Sequence, residues 1–200
     1  MDLLLITDPN YPEKEEESLV QLLDQGLSRL HIRKPDWTNI GIEKLVKSIP
    51  VEHYSKISLH GDLKLATDLG LGGCHFKSDQ KILASSLRKS KSFHHLNELL
   101  EVENRVLDYG FISPIFDSIS KQGYRAGFDH QALRNWMHHD KRQLGFSLYA
   151  LGGISRSNIL KVKAMGFDGV VMMGEIWKEV DVASRTSAFK GINKELIHAR

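Results

Sequence analysis

The chain has 200 residues, 41% of them apolar, with a net charge of +2, ten histidines and a single cysteine. That length buries one sizeable core, so small a charge gives no reason to expect a nucleic-acid partner, and one cysteine excludes an internal disulfide. No apolar stretch approaches the roughly 20 residues of a membrane span, and the start MDLLLITDPN runs straight into a turn and not a signal peptide. A reducing cytoplasm is the expected location, with Cys74 as a small packing residue.

Short runs rich in β-formers alternate with amphipathic stretches from end to end. Strands are predicted at 3–7, 29–33, 56–60, 72–76, 90–94, 108–113, 147–151 and 168–173. Helical periodicity occupies 14–25, 39–48, 62–69, 80–87, 95–103, 129–139, 155–165 and 182–197. Eight alternations predict an α/β chain folded as a single (β/α)8 TIM barrel over 1–200, in preference to an open doubly wound sheet. Gly26, Gly70 and Gly166 each stand between a helical stretch and a strand, where a left-handed residue closes a helix. The charge run Glu13 to Glu17 suits the exposed first turn of a helix, with its carboxylates at the positive end of the dipole.

In such a barrel the active site lies at the C-terminal ends of the strands, often with a phosphate site after strands seven and eight. Taken in order, the strand ends supply Thr7 and Asp8, His31 and Arg33, His60 and Asp62, His75 with Lys77 and Asp79, then Ser92 and His94. By strand parity His31 and Arg33 share a side, which makes an anion clamp at the mouth, while Lys34 falls on the opposite parity and reads as solvated. After the sixth strand the apolar run DYGFISPIF breaks into Ser118, Ser120 and Lys121, hydroxyls and one cation suited to an anionic ligand. Gly152, Gly153 and Gly174 at the last two strand ends offer backbone N–H groups to a phosphate, and Ser155 is placed to cap the following helix.

Histidines recur at four strand ends, yet no HxH or HExxH spacing occurs and carboxylates near them are sparse, so an anion-binding barrel is favoured over a zinc hydrolase. A GxSxG nucleophile elbow, a Walker loop and a GxGxxG opening a helix are absent as well.

At this point the sequence resembles the thiamine phosphate synthase and TenI superfamily. ITD, LHIRKP, GGCHF, SFHHLNE, DYGFISPIFDSISK, ALGGIS and GFDGVVMMGEI match its landmarks in order over nearly the whole chain. The resemblance implies a transferase of thiamine biosynthesis that couples a pyrimidine diphosphate to a thiazole phosphate with Mg²⁺ and loss of pyrophosphate. It implies a dissociative substitution, in which the protein positions the reactants and stabilises the leaving group.

Carried over by motif, Arg33 falls on the pyrophosphate-binding Arg of QxRxK and Lys121 on the lysine after the sixth strand. Ser118 and Ser120 replace the threonines of PTxTK, while Ser92 and His94, with Glu98, match SxHxxxE. Gly153, Met173 and Gly174 fall where the thiazole phosphate is held. The resemblance thus gives Arg33, Lys121 and Ser92 for catalysis, and His31, His60, His94, Ser118, Ser120, Gly153, Met173 and Gly174 for substrate.

The departures concern the metal and the second strand. The motif Gln is His31 and its final Lys is Pro35; the Asn-Asp pair after the third strand reads His60-Gly61. Asp62, one place on, and Asp79, across a one-residue gap, remain as Mg²⁺ ligands. The TenI branch of thiazole tautomerases shares HIR at the second strand, but its acid/base His aligns with Pro114 here, which carries no proton. Synthase is the first expectation, tautomerase the alternative, and a non-catalytic thiamine-ligand-binding or regulatory protein a third. Partners expected are small phosphorylated pyrimidine and thiazole substrates, with no nucleic acid and no membrane, and a homodimer left open.

Overall fold

The computed structural model describes residues 1–101, 106–117 and 127–198. Eight parallel strands close into a barrel in chain order: β1 (Asp2–Ile6), β2 (Arg29–Ile32), β3 (Ile57–His60), β4 (Gly73–Phe76), β5 (Arg88–Phe93), β6 (Tyr109–Ile112), β7 (Ser147–Leu151) and β8 (Gly169–Met172). Closure is made by β1 on β8, with Leu4 opposite Val171. Most strands are buried on both faces and read as near-continuous apolar runs, whereas β5, RKSKSF, is polar and only partly buried. Successive residues still divide between two cores. In β1, Leu3 and Leu5 pack outward with the helices, while Leu4 and Ile6 point inward and join Tyr109, Phe111, Tyr149 and Val171 inside the barrel.

The barrel interior is lopsided. Its β1, β6, β7 and β8 side is filled by those apolar and aromatic residues, whereas β2 to β5 place Arg29, His31, Ser58, His75 and Ser90 there, all buried. Buried polar groups of this kind need partners, and these bond to one another.

The outer layer comprises α1 (Glu15–Asp24), α2 (Asn39–Lys47), α3 (Leu63–Asp68), α4 (His130–His139), α5 (Ile159–Ala164), α6 (Gly174–Trp177) and α7 (Val182–His198). Leu19, Leu22 and Leu23 form the buried stripe of α1, at about 1.5–3 kcal/mol for each such side chain. Thr38, Asp62 and Asp129 cap α2, α3 and α4, each accepting a backbone N–H from the first turn. Gly26, Gly70 and Gly166 follow their helices with positive φ, as the sequence predicts. No helix among the described residues is long and apolar enough to cross a membrane.

Two predicted elements need correction. The helical stretch at 80–87 is irregular. Ser85 Oγ accepts the N–H of Leu87 at 3.0 Å, a local bond that competes with helix formation, and Leu83 is exposed. The stretch at 95–103 yields a 3₁₀ turn over Leu96–Leu100, with residues 102–105 outside the described set.

Candidate active site

The C-terminal ends of the strands open into a cavity of about 830 Å³. Arg33, His60, Asp62, Ser92, His94, Asp79, Gly153, Met173 and Gly174 all line it, and so do Lys77 and His75. Ser118, Ser120 and Lys121 lie outside the described residues.

Arg33 stands just past β2, where its backbone is fixed from β1. Its N–H donates to Thr7 Oγ1 at 2.9 Å and the Thr7 hydroxyl donates back to the Arg33 carbonyl at 3.2 Å. Thr7 is wholly buried, so both bonds are shielded from water. Among the described residues no carboxylate lies within ion-pair distance of the Arg33 guanidinium. Its charge therefore remains for a ligand in the cavity.

Lys34 is different, and the solvated reading fails. It is buried, and its ammonium donates to Glu15 Oε1 and Oε2 at 2.8 and 2.7 Å, to the Asp8 carbonyl at 2.7 Å and to the Asn10 carbonyl. It also lies 4.8 Å over the Trp37 ring. Every donor is spent, so Lys34 touches the cavity wall without offering it charge. Glu15 is accordingly an inward residue of α1, not part of an exposed acidic turn; its neighbours Glu16 and Glu17 are the less buried ones. Strand parity ends with β2 at Ile32 and says nothing about a residue two places beyond.

Beneath the cavity floor lies a histidine stack. His31 is completely buried and does not reach the cavity, which corrects its expected role as a substrate contact. Its Nδ1 is 3.0 Å from His60 Nε2 and its Nε2 is 2.9 Å from the Tyr109 hydroxyl. Tyr109 continues to Ser58 at 3.1 Å, which accepts from Arg29 at 3.2 Å. His75 stacks on His60 with centroids 4.1 Å apart and is bracketed by Ser90 and Ser92, each at 2.8 Å. Burial pulls His31 and His60 well below 6.5, and the neighbouring charge of His75 adds to it. Burial, then Arg33, brings His75 down to about 3. All three rings are neutral at physiological pH.

Ser92 thus presents its hydroxyl to the cavity while anchored from below by His75. His94 is exposed and held by its own Nδ1 at 3.0 Å from the Ser113 carbonyl, and Glu98 Oε2 accepts the His94 N–H at 3.0 Å. Asp62 divides its carboxylate between Leu65 N–H, at 2.8 Å on Oδ1, and Asn39 Nδ2, at 3.3 Å on Oδ2. Asp79 is exposed on the same cavity wall.

The glycines at the end of β7 are required first by packing. Gly153 has φ +63°, and a Cβ there meets the Asp117 carbonyl at 2.4 Å. Its own carbonyl accepts Asn158 Nδ2 at 2.8 Å. Asn158 also accepts the Ser155 N–H at 2.9 Å and is the N-cap residue of α5, while Ser155 Oγ pairs with Ser157. The helix thus starts three residues beyond Ser155, and the Asn158 side chain is turned back to the β7 loop and does not cap it, so the capping role predicted for Ser155 is not filled by either residue. Met173, half-buried, precedes α6 and faces the same cavity.

The profile of a family described as thiamine monophosphate synthase, TMP-TENI, matches residues 3–176. The chain belongs to this family. A thiamine-phosphate synthase from Listeria welshimeri is 29% identical over 133 residues, 62% of this chain and 62% of its own length. One from a Synechococcus species is 23% identical over 91% of this chain and 54% of its own, and one from Clostridium beijerinckii 21% identical over 98% and 95%. This chain thus spans less than two thirds of the first two relatives and nearly all of the third.

Among solved structures, a thiamine phosphate pyrophosphorylase from Bacteroides thetaiotaomicron matches over 100% of both chains with TM-score 0.83 and 25% identity. A thiamine phosphate pyrophosphorylase from Pyrococcus furiosus, 20% identical with TM-score 0.79 over 98% of this chain and 96% of its own, supports the fold alone.

Within the thiamine monophosphate synthase family pattern, the departures at β2 and β3 are one feature. His31, in place of Gln, and His60, in place of Asn, touch each other. Sequence reasoning placed Thr7 and His75 at strand ends without giving either a role, and left Tyr109 out of the site. A signal for His75 exists: it alternates with the outward-packing Cys74, so it faces into the barrel.

Proposed function

We propose that this chain is a thiamine phosphate synthase. It couples hydroxymethylpyrimidine diphosphate with thiazole phosphate, giving thiamine phosphate and pyrophosphate. The observation that carries the reading is the guanidinium of Arg33, without a carboxylate partner among the described residues and with its backbone fixed by Thr7, in a cavity at the strand ends of a barrel of this family.

Heterolysis of the bond between the pyrimidine methylene carbon and the diphosphate oxygen leaves the electron pair on the diphosphate. The carbocation is captured by the thiazole nitrogen, whose lone pair forms the new bond. The protein's share is to hold both reactants in line and to meet the leaving charge with preorganised cations. Arg33, with Lys77 on the same wall and Lys121 by motif, supplies that charge; Ser92 and His94 orient the pyrimidine side. The cavity end at Gly153, Met173 and Gly174 receives the thiazole phosphate.

Asp62 and Asp79, which line the same cavity, would supply the hard oxygen donors that Mg²⁺ takes, and each carboxylate oxygen of Asp62 keeps a lone pair beyond its present bond. Bound there beside a diphosphate, Mg²⁺ neutralises phosphate charge. A cytoplasmic site of action accords with these phosphorylated substrates.

The test is incubation with both substrates and Mg²⁺, followed by detection of thiamine phosphate. Ligand binding without coupling would place the chain among non-catalytic binders. Isomerisation of a thiazole carboxylate phosphate without pyrimidine would make it a tautomerase, a role disfavoured by Pro114, which lines the cavity without a proton to give.

A further inference from the structure

We propose that His31, His60 and His75 form a binding site for a borderline transition-metal ion such as Zn²⁺ or Co²⁺ at the floor of the cavity, distinct from the carboxylates that suit Mg²⁺. One ligating atom from each of the three rings lies within 4.8 Å of the others. They come from the ends of three adjacent strands, with His60 directly opposite His75 in register. His60 and His75 line the cavity, so an ion between them keeps a coordination position open to it.

The geometry is close to what an ion requires. Two imidazole nitrogens at about 2.0–2.1 Å from a common tetrahedral ion sit about 3.3 Å apart. His31 Nδ1 and His60 Nε2 are already 3.0 Å apart, and the proposal requires a rotation of the His75 side chain to bring its nitrogen in from within the 4.8 Å spread of the three. His75 exchanges one hydroxyl contact for the ion, and Ser92, half-buried on the cavity wall, is the one free to move, since Ser90 is wholly buried.

The outer partners are those of a metal-binding histidine set. Ligating histidines usually bond their second nitrogen to a fixed acceptor or donor, which sets tautomer and ring orientation. His31 has Tyr109 on Nε2, leaving Nδ1 toward the site, and His75 has Ser90 on Nδ1, leaving Nε2 toward the cavity. Tyr109 can accept from His31 because its own proton has Ser58 to go to. Imidazole nitrogens without a carboxylate among them favour Zn²⁺, Co²⁺, Ni²⁺ or Cu²⁺ over Mg²⁺. Phe111 packs against the His31 and His75 rings, with centroids 4.8 and 4.6 Å away, so an apolar ring backs the site from within the barrel.

The inference stands apart from the synthase reading and is tested on metal alone. Tag-free protein is titrated with Co²⁺ in a large excess of Mg²⁺ while the visible d–d absorption is followed, and metal retained after dialysis is counted. One Co²⁺ per chain with the intense band of a low-coordinate nitrogen site is expected, undisturbed by Mg²⁺. Tyr109→Phe, which removes a single hydroxyl behind His31, should weaken binding by about 10- to 100-fold, and His60→Ala, half-buried on the cavity floor, should abolish the band; thermal melts verify that both variants fold. Absence of a band, binding unchanged in folded Tyr109→Phe and His60→Ala, or displacement of Co²⁺ by Mg²⁺ would overturn the proposal.

Discussion

Lys34 and Glu15, nineteen residues apart in sequence, form a bidentate ion pair with both side chains wholly out of solvent. The pair bolts α1 to the segment after β2, immediately beside Arg33. The pH dependence has a definite sign. Burial pushes the Glu15 carboxyl from 4.5 up to about 7, against the opposing pull of Lys34. Between those values the native state holds more protons than the unfolded chain, so this group's contribution is full below about 4.5 and is lost as pH rises through about 7. Glu15→Gln should remove that slope from the stability profile.

Arg33→Ala should lower turnover by about 10²-fold or more with the fold intact, because the guanidinium meets charge that develops in the transition state. Arg33→Lys should recover little, since a point charge replaces a planar fork. Steady-state rates beside a circular-dichroism spectrum decide this; wild-type turnover in Arg33→Ala removes Arg33 from the site.

Thr7→Val keeps the shape of the buried side chain but removes both bonds to the Arg33 backbone. An unsatisfied buried N–H costs about 1–3 kcal/mol. Stability should fall by that order, and activity should fall by less than in Arg33→Ala, since the cation remains. Thermal melts and kinetics on the same preparation separate the two effects.

The barrel was legible because most of its strands, β5 excepted, are buried on both faces, and because glycines close helices ahead of several of them; each predicted strand lies within two residues of an observed one. The site was legible as far as single strand ends reach: Arg33, Ser92, Asp62 and Gly153 do line one cavity. What failed to show was tertiary pairing. Nothing local marks Glu15 as the one inward carboxylate of its run, because its partner lies across the α1–β2 turn. The histidine stack has no HxH spacing because its members sit on three neighbouring strands, 29 and 15 residues apart, where register and not sequence distance brings them together. The absent helix between β4 and β5 was lost to a serine bond that periodicity ignores.

Gly153→Ala tests the loop after β7. Its backbone at φ +63° costs a side-chain-bearing residue about 1–2 kcal/mol, and the added carbon meets the Asp117 carbonyl, whose displacement shifts the wall of the cavity. A lower melting temperature and weaker thiazole phosphate binding are expected together, with pyrimidine diphosphate binding changed little. Equal weakening of both ligands in calorimetry would place the thiazole phosphate elsewhere.

Asp62 serves two roles that substitution can separate. As the cap of α3 it accepts the Leu65 N–H, so Asp62→Ala should cost about 1 kcal/mol of stability while Asp62→Asn, which keeps an accepting oxygen, should cost less. As a proposed Mg²⁺ ligand it needs its charge, and there Asn fails as Ala does. Mg²⁺ keeps several waters and is held by one or two carboxylates beside substrate phosphates, so the protein alone should bind it weakly and diphosphate should tighten the binding. Calorimetry with and without diphosphate should show that tightening in the wild type, reduced in Asp62→Asn and further reduced when Asp79→Asn is added. Tight Mg²⁺ binding without diphosphate, or affinity unchanged in the double variant, would move the ion away from these carboxylates.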